Sequence, residues 1–249
     1  MATTRTLTSS AGILDLRLAV GHVRVTVSPD AAQITVTLST QDETGASAEA
    51  ISRTTSSFGT EQFTIRVPDI AAPVISRSGL NLVSVGNSIN GVSIGGDAFV
   101  LGNFTRAVSA SPIAAEVLLP TGTALRIHST DVTAEITGHL RALRFHAVSG
   151  RVRANSVADL VADTTSADID VEVQLGPLLA QTISGDVAVG SYHGPVARIS
   201  TVSGDVRLNA GQGATGVLNA ETVSGDLRLG GTGRLAVSAS TVSGYKQIT

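Results

Sequence analysis

The sequence contains no cysteine, which excludes disulfide bonds and any metal held by thiolates. Aromatic residues make up only 3% of it and charged residues 15%. With so few large rings, the core must be filled by Val, Ile, Leu and Ala, side chains that stack in thin, regular β-layers. A net charge of −3 gives no general attraction to nucleic acid or to an anionic membrane surface. Lysine occurs once, as Lys246, and no Gly-x-x-x-x-Gly-Lys phosphate loop is present. Long apolar runs are missing as well. The opening Met1-Ala-Thr-Thr-Arg-Thr-Leu-Thr-Ser-Ser has no apolar core of signal-peptide length. The best membrane-span candidate, Leu80 to Phe99, is broken by Asn81, Asn87, Asn90 and Asp97, and a spanning helix needs about 18 or more apolar residues. These absences predict a soluble, cytoplasmic chain with no export signal and no transmembrane segment.

What is present is mostly strand. Ile13-Leu-Asp-Leu-Arg-Leu-Ala-Val20 and Val23-Arg-Val-Thr-Val27 alternate apolar and polar residues, the mark of a half-buried strand. Ser28-Pro-Asp30 is turn chemistry, and Gln33-Ile-Thr-Val-Thr-Leu38 predicts a further strand. Residues 40–60 are small, polar and rich in Ser and Thr, which predicts a long loop before Phe63-Thr-Ile-Arg-Val-Pro68 resumes the alternation. Residues 80–104 set aliphatic residues among glycines, a pattern for tightly turning strands, either a hairpin or extra turns of a repeat.

From Val117 onward a repeat outranks every other signal. Its corners are Ser149-Gly150, Ser166-Ala167, Ser184-Gly185, Ser203-Gly204, Ser224-Gly225 and Ser243-Gly244, at intervals of 17, 18, 19, 21 and 19 residues. Val132-Thr-Ala-Glu-Ile136 is a degenerate earlier copy. Ahead of most corners lies a second strand opened by Gly, as in Gly194-Pro-Val-Ala-Arg and Gly216-Val-Leu-Asn-Ala. A single rung cannot bury its inward face, whereas stacked rungs share one aliphatic core and satisfy each other's backbone groups at about 4.8 Å spacing. Alternation after the corner turns Val206 and Leu208 inward and Asp205 and Arg207 outward. The glycine lets the corner bend, and the serine hydroxyl is expected to bond the corner amides. A β-sandwich is the structural rival, but sandwiches rarely repeat one motif at near-constant spacing.

With these residues in view, the chain resembles a bacterial group of β-strand-repeat domains of unknown function catalogued as "putative adhesins". The likeness is carried by Glu116-Val-Leu-Leu-Pro-Thr-Gly-Thr-Ala-Leu-Arg-Ile-His-Ser-Thr130 and by the serial Thr-Val-Ser-Gly-Asp-Val units through Ser243. Val20-Gly-His-Val-Arg-Val25 is similar to an opening rung. The resemblance implies an all-β fold, a single-stranded right-handed parallel β-helix (β-solenoid) with rungs of about 19 residues. One such domain is expected over 1–249, with irregular strands and loops over 1–116, segment 80–104 among them, and regular repeats over 117–249.

Outward residues carry any chemistry. The position after the corner predicts a column of Glu135, Arg151, Asp168, Asp186, Asp205, Asp226 and Tyr245, beside a column holding Arg153, Asp170, Arg207 and Arg228. Stacked carboxylates repel unless paired or hydrated, and diagonal Asp–Arg pairing supplies the partners. Calcium at Asp168, Asp170 and Asp186 is the metal alternative, weakened by the absence of a Gly-Gly-x-Gly-x-Asp motif. Acid–base catalysis on a carbohydrate is conceivable on an Asp ladder, yet short loops and scarce aromatics argue against an enzyme. His22, His128, His139, His146 and His193 form no ligand pair with clean spacing. Gly190-Ser-Tyr-His-Gly194 is not a nucleophile elbow but a corner loop. Arg126, His128, Arg141, Arg144, His146, Arg151 and Arg153 predict one positive patch for an anionic partner or for the acidic face of another copy. No cofactor and no nucleic acid is expected. The last rung stops at Ser243-Gly-Tyr-Lys-Gln-Ile-Thr249 without a polar cap, so self-association or a protein partner is expected, with carbohydrate binding as the alternative.

Overall fold

The computed structural model describes residues 3–69 and 111–249, together with the backbone of 75–77, 80–85 and 88–94. The chain runs β1 (Thr3–Ser9), β2 (Ile13–Arg17), β3 (Val20–Ser28), β4 (Ile34–Thr40), α1 (Ala46–Ser52), β5 (Thr55–Phe58) and β6 (Gln62–Arg66). Then come β7 (Ile75–Arg77), β8 (Leu80–Val85), β9 (Ser88–Ile94), β10 (Ile113–Pro120) and β11 (Ala124–Gln174). The remainder is β12 (Leu178–Gln181), β13 (Val187–Tyr192), β14 (Val196–Ser200), β15 (Val206–Ala210), β16 (Gly216–Thr222), β17 (Leu227–Gly230), β18 (Leu235–Thr241) and β19 (Lys246–Ile248). The fold is all-β and solenoid-like, with one short helix among the described residues.

Two columns of parallel strands organise the repeat region. One column aligns Leu178 with Ala197, Leu218 and Val237 through β12, β14, β16 and β18. The other aligns Val187 with Val206, Leu227 and Lys246 through β13, β15, β17 and β19. Extended stretch β11 feeds both: its Leu160 lies beside Leu178 and its Ile169 beside Val187. Drawn straight, the 51 residues of β11 would reach about 170 Å. Its first residues instead pair with β2 and β3 and its last with β12 and β13, so it bends repeatedly across the stack.

The alternation read from the sequence holds through the columns. Leu178, Ala180, Ile199, Leu218 and Ala220 are buried from one column; Val187, Val189, Val206, Leu208, Leu227 and Leu229 are buried from the other. Burying each Val or Leu contributes roughly 1.5–3 kcal/mol, repeated at every rung. The corner works differently from expectation. Gly150 has a left-handed φ of 111°, but Gly185, Gly204, Gly225 and Gly244 are required by crowding. A Cβ on any of these four would strike the carbonyl oxygen stacked before it, from Ala167, Gly185, Gly204 and Gly225 in turn. The hydroxyl that bonds the corner amide belongs to threonine rather than serine. Thr182 Oγ1 accepts from Gly185 N and Thr201 Oγ1 from Gly204 N, both at 3.0 Å and buried.

The amino-terminal end departs from the parallel pattern. β1 pairs antiparallel with β4, β4 antiparallel with β10, and β5 antiparallel with β6. Within the stretch read as a loop, α1 forms because Ala46-Ser-Ala-Glu-Ala-Ile51 joins good helix formers to a face that buries Ser47, Ala48, Ala50 and Ile51. Ser47 Oγ donates to Ser111 O at 2.7 Å, and Arg5 donates to Ser52 O at 2.8 Å at the helix end. In the Gly-rich segment, β8 and β9 form an antiparallel pair flanked by β7; residues 95–104 of that segment lie outside the described residues.

Candidate functional site

Two outward faces carry the charged side chains. On the face of the second column the aspartates form a hydrogen-bonded ladder. Asp168 Oδ1 accepts the backbone N–H of Asp186 at 3.1 Å. Asp186 Oδ1 takes that of Asp205, Asp205 Oδ1 that of Asp226, and Asp226 Oδ1 that of Tyr245, each at 2.9 Å. The other oxygen meets arginine: Asp168 Oδ2 binds Arg151, Asp205 Oδ2 binds Arg207 at 2.7 Å, and Asp226 Oδ2 binds Arg228 at 2.7 Å. Arg153 reaches Asp170 at 3.5 Å. Arg151 is held more firmly protonated by its hydrogen bond to Asp168 and by that carboxylate's charge.

Glu135 does not belong to the Asp column. It aligns with Arg24 and approaches it to 3.7 Å, while Thr133 aligns with His22. Gly150 stacks on the Val132 carbonyl, so Arg151 follows Thr133 and Arg153 follows Glu135. Among the described residues, no group of three or more His, Asp or Glu is arranged to hold a metal ion. The expected corner loop is largely strand: Gly190, Ser191 and Tyr192 belong to β13, and only His193 and Gly194 lie past its end; Ser191 Oγ lies 2.8 Å from His193 Nε2.

The expected positive patch is divided. Arg151 and Arg153 sit on the Asp-ladder face, whereas Arg126 and His128 align with Asp15 and Arg17 of β2 on the other column. Arg141 and Arg144 are exposed. Around Arg126 and His128 lies a cluster that sequence reasoning missed. Asp15 is outward by alternation but only 1% exposed, covered by its neighbours. Arg17 grips it through Nε and a terminal nitrogen, at 3.2 and 2.9 Å to Oδ2, and Gln62 Nε2 donates to it at 3.1 Å. His128 Nε2 is 3.7 Å from Asp15 Oδ1. Partial burial holds the His128 pKa below its ordinary value; Arg17, His146 and Arg126 push the same way against Asp15. His146 stands 5.9 Å from His128, ring centre to ring centre, and 3.6 Å from Asp163. A groove of about 450 Å³ opens beside this cluster, between Arg17, Arg66, Pro68, Ser129, His128 and His146.

The sequence does hold a trace of this cluster. Leu14-Asp-Leu-Arg17, Phe63-Thr-Ile-Arg66, Leu125-Arg-Ile-His128 and Leu143-Arg-Phe-His146 share one pattern, two inward apolar residues and a terminal base. Its four copies are scattered and only the strand register brings them together.

Strands stacked in two parallel columns make this a β-repeat fold, and the chain belongs to the Toastrack family, DUF4097, which matches residues 23–249. The fold is similar to that of a "putative adhesin" from Bacteroides fragilis, with a TM-score of 0.56 at 14% identity, covering 100% of this chain and 97% of that one. A "putative adhesin" from Parabacteroides distasonis gives a TM-score of 0.44 at 12% identity, covering 100% and 97%. A "putative lipid binding protein" from the same species gives 0.43 at 11%, covering 100% and 95%. Among curated proteins, none matches the chain. No helix among the described residues is long and apolar enough to cross a membrane.

Proposed function

We propose that this Toastrack protein is a non-enzymatic interaction scaffold, adhesin-like in kind, whose two strand columns are the sides of one right-handed parallel β-helix. Parallel neighbours joined by a crossover are right-handed in nearly all proteins, and the register of both columns is what one continuous coil requires. The observation that carries the scaffold reading is the double engagement of the ladder: Asp168, Asp205 and Asp226 each spend one oxygen on the next rung's amide and the other on an arginine. Carboxylates tied up in this way are poor general acids or sugar ligands. That weighs against a carbohydrate enzyme or lectin built on Asp168, Asp186, Asp205 and Asp226.

Self-association is the second part of the reading. In this 249-residue chain β18 pairs only with β16 and β19 only with β17 among the described residues, so both leave an edge of unpaired backbone groups. The inward residues Leu235, Val237 and Ala239 are only partly covered, and Val242 and Tyr245 are exposed. Such an edge templates pairing with another strand. The opposite end carries the Thr-rich antiparallel β1 and the helix α1, so the two ends are unlike. Electron microscopy of the purified protein with light scattering on a sizing column tests this: assemblies joined at one end are expected, and a strict monomer overturns self-association. Antibody labelling of intact against opened cells separates a surface location, suggested by the adhesin name of the similar structure, from the cytoplasmic one.

A further inference from the structure

We propose that Arg66, Arg17, His128 and His146 form a binding row for a phosphate-type oxyanion. The register places Arg66 beside Arg17 and Arg17 beside His128 on three adjacent parallel strands. His146 follows at 5.9 Å from His128. Four basic side chains therefore stand in line over about 14 Å, three strand spacings, along a groove open to solvent. Like charges at one strand spacing repel, and an anion between them reverses that.

Arg17 is already fixed in place, because buried Asp15 holds its Nε and one terminal nitrogen. That leaves it a single free nitrogen rather than a planar fork. Arg66 makes no ion pair among the described residues and keeps its whole fork. Donors then come from several directions, a set that suits the oxygens of a tetrahedral anion better than a flat carboxylate. The acids facing the row are Asp15, consumed by Arg17 and Gln62, Asp163 at its far end by His146, and Asp69 at the rim of the groove. Arg126, aligned with Asp15, and Arg144 add charge on the neighbouring row. Protonating His128 adds a charge to the row.

This site adds a ligand class to the scaffold reading and lies away from the edge strands, so either can fail alone. The test follows the His128 and His146 ring signals by NMR during titration with inorganic phosphate, with chloride as an ionic-strength control. Both signals are expected to move with a dissociation constant of about 10 mM or below. Arg66→Gln removes an exposed residue and is expected to weaken binding about tenfold, while Arg198→Gln, on a distant strand, leaves it unchanged. Flotation with phosphatidylglycerol vesicles asks whether the phosphate can be a lipid headgroup: Arg66-dependent flotation assigns that source, and phosphate binding without flotation assigns a free phosphate. Chloride acting as phosphate does, histidine signals that stay still, or Arg66→Gln and Arg198→Gln titrating alike would each overturn the site.

Discussion

Asp205 Oδ1 accepts the backbone N–H of Asp226, one rung further along, at 2.9 Å, and Asp205 Oδ2 holds Arg207 of its own rung at 2.7 Å. One carboxylate thus ties two rungs together and orients the arginine beside it. The ladder resolves the repulsion that stacked aspartates would otherwise suffer, since each negative group faces an amide hydrogen and a guanidinium.

The two functions of the carboxylate are separable. Asp205→Ala removes both and is expected to cost about 1–2 kcal/mol, because bonds to charged acceptors exceed neutral ones. Asp205→Asn keeps the Oδ1 acceptor and loses an exposed ion pair, a change of about 0.5 kcal/mol. Urea unfolding of both variants reads the difference; equal losses would mean the amide bond contributes nothing.

The corner glycines are expected to tolerate no side chain. Gly204→Ala drives a Cβ into the Gly185 carbonyl and is expected to cost more than about 3 kcal/mol, the range reserved for steric breakage of a packed backbone. Gly12, with nothing within 4 Å, is the comparison: Gly12→Ala stays within about 0.5 kcal/mol of the parent. A thermal melt of Gly204→Ala that matches Gly12→Ala would remove crowding as the reason for the motif.

Tyr192 is buried with its hydroxyl lacking a partner among the described residues, and burial pushes its pKa up to about 12. A buried hydroxyl without a bond is a net cost. Tyr192→Phe is therefore expected to raise stability by about 1 kcal/mol, read by urea unfolding; a loss of that size would show that the hydroxyl is bonded after all.

His128 gives the stability a pH dependence of known sign. Its folded pKa lies below the ordinary 6.5. Well above pH 6.5 it is neutral whether folded or not and contributes no slope. As pH falls below 6.5 the unfolded chain takes the proton first, so stability declines. His128→Gln, compared with the parent by thermal melts between pH 8 and 5 in buffer free of phosphate, is expected to flatten that decline; an unchanged slope would assign it to other groups.

Much of this was legible because the repeat is short-range. Ser-Gly spacing located the corners, and alternation turned Val206 and Leu208 inward with Arg207 outward, as the structure has them. Identical neighbours make register almost irrelevant there. Where neighbours differ, register decides everything: Asp15, Gln62 and Arg126 are far apart in sequence and meet only through parallel pairing. The same lack of register set Glu135 in the wrong column. Helix α1 was hidden because Ala and Ser serve loops and helices alike, and its burial against the rest of the fold decides between them. The threonine at the corner was overlooked since serine stands nearer the glycine, although only the threonine is buried within reach of the amide.

Sedimentation velocity of the 249-residue chain beside Val237→Lys tests the scaffold account most directly. Val237 points inward on the edge strand β18, and an inward charge there blocks strand addition while leaving the interior rungs intact. The account predicts that the parent associates over about 1–200 µM, in low salt and in 1 M salt alike, since edge pairing is not screened, and that Val237→Lys sediments as a folded monomer. A parent that is monomeric throughout, or a Val237→Lys variant that associates just as strongly, would contradict it.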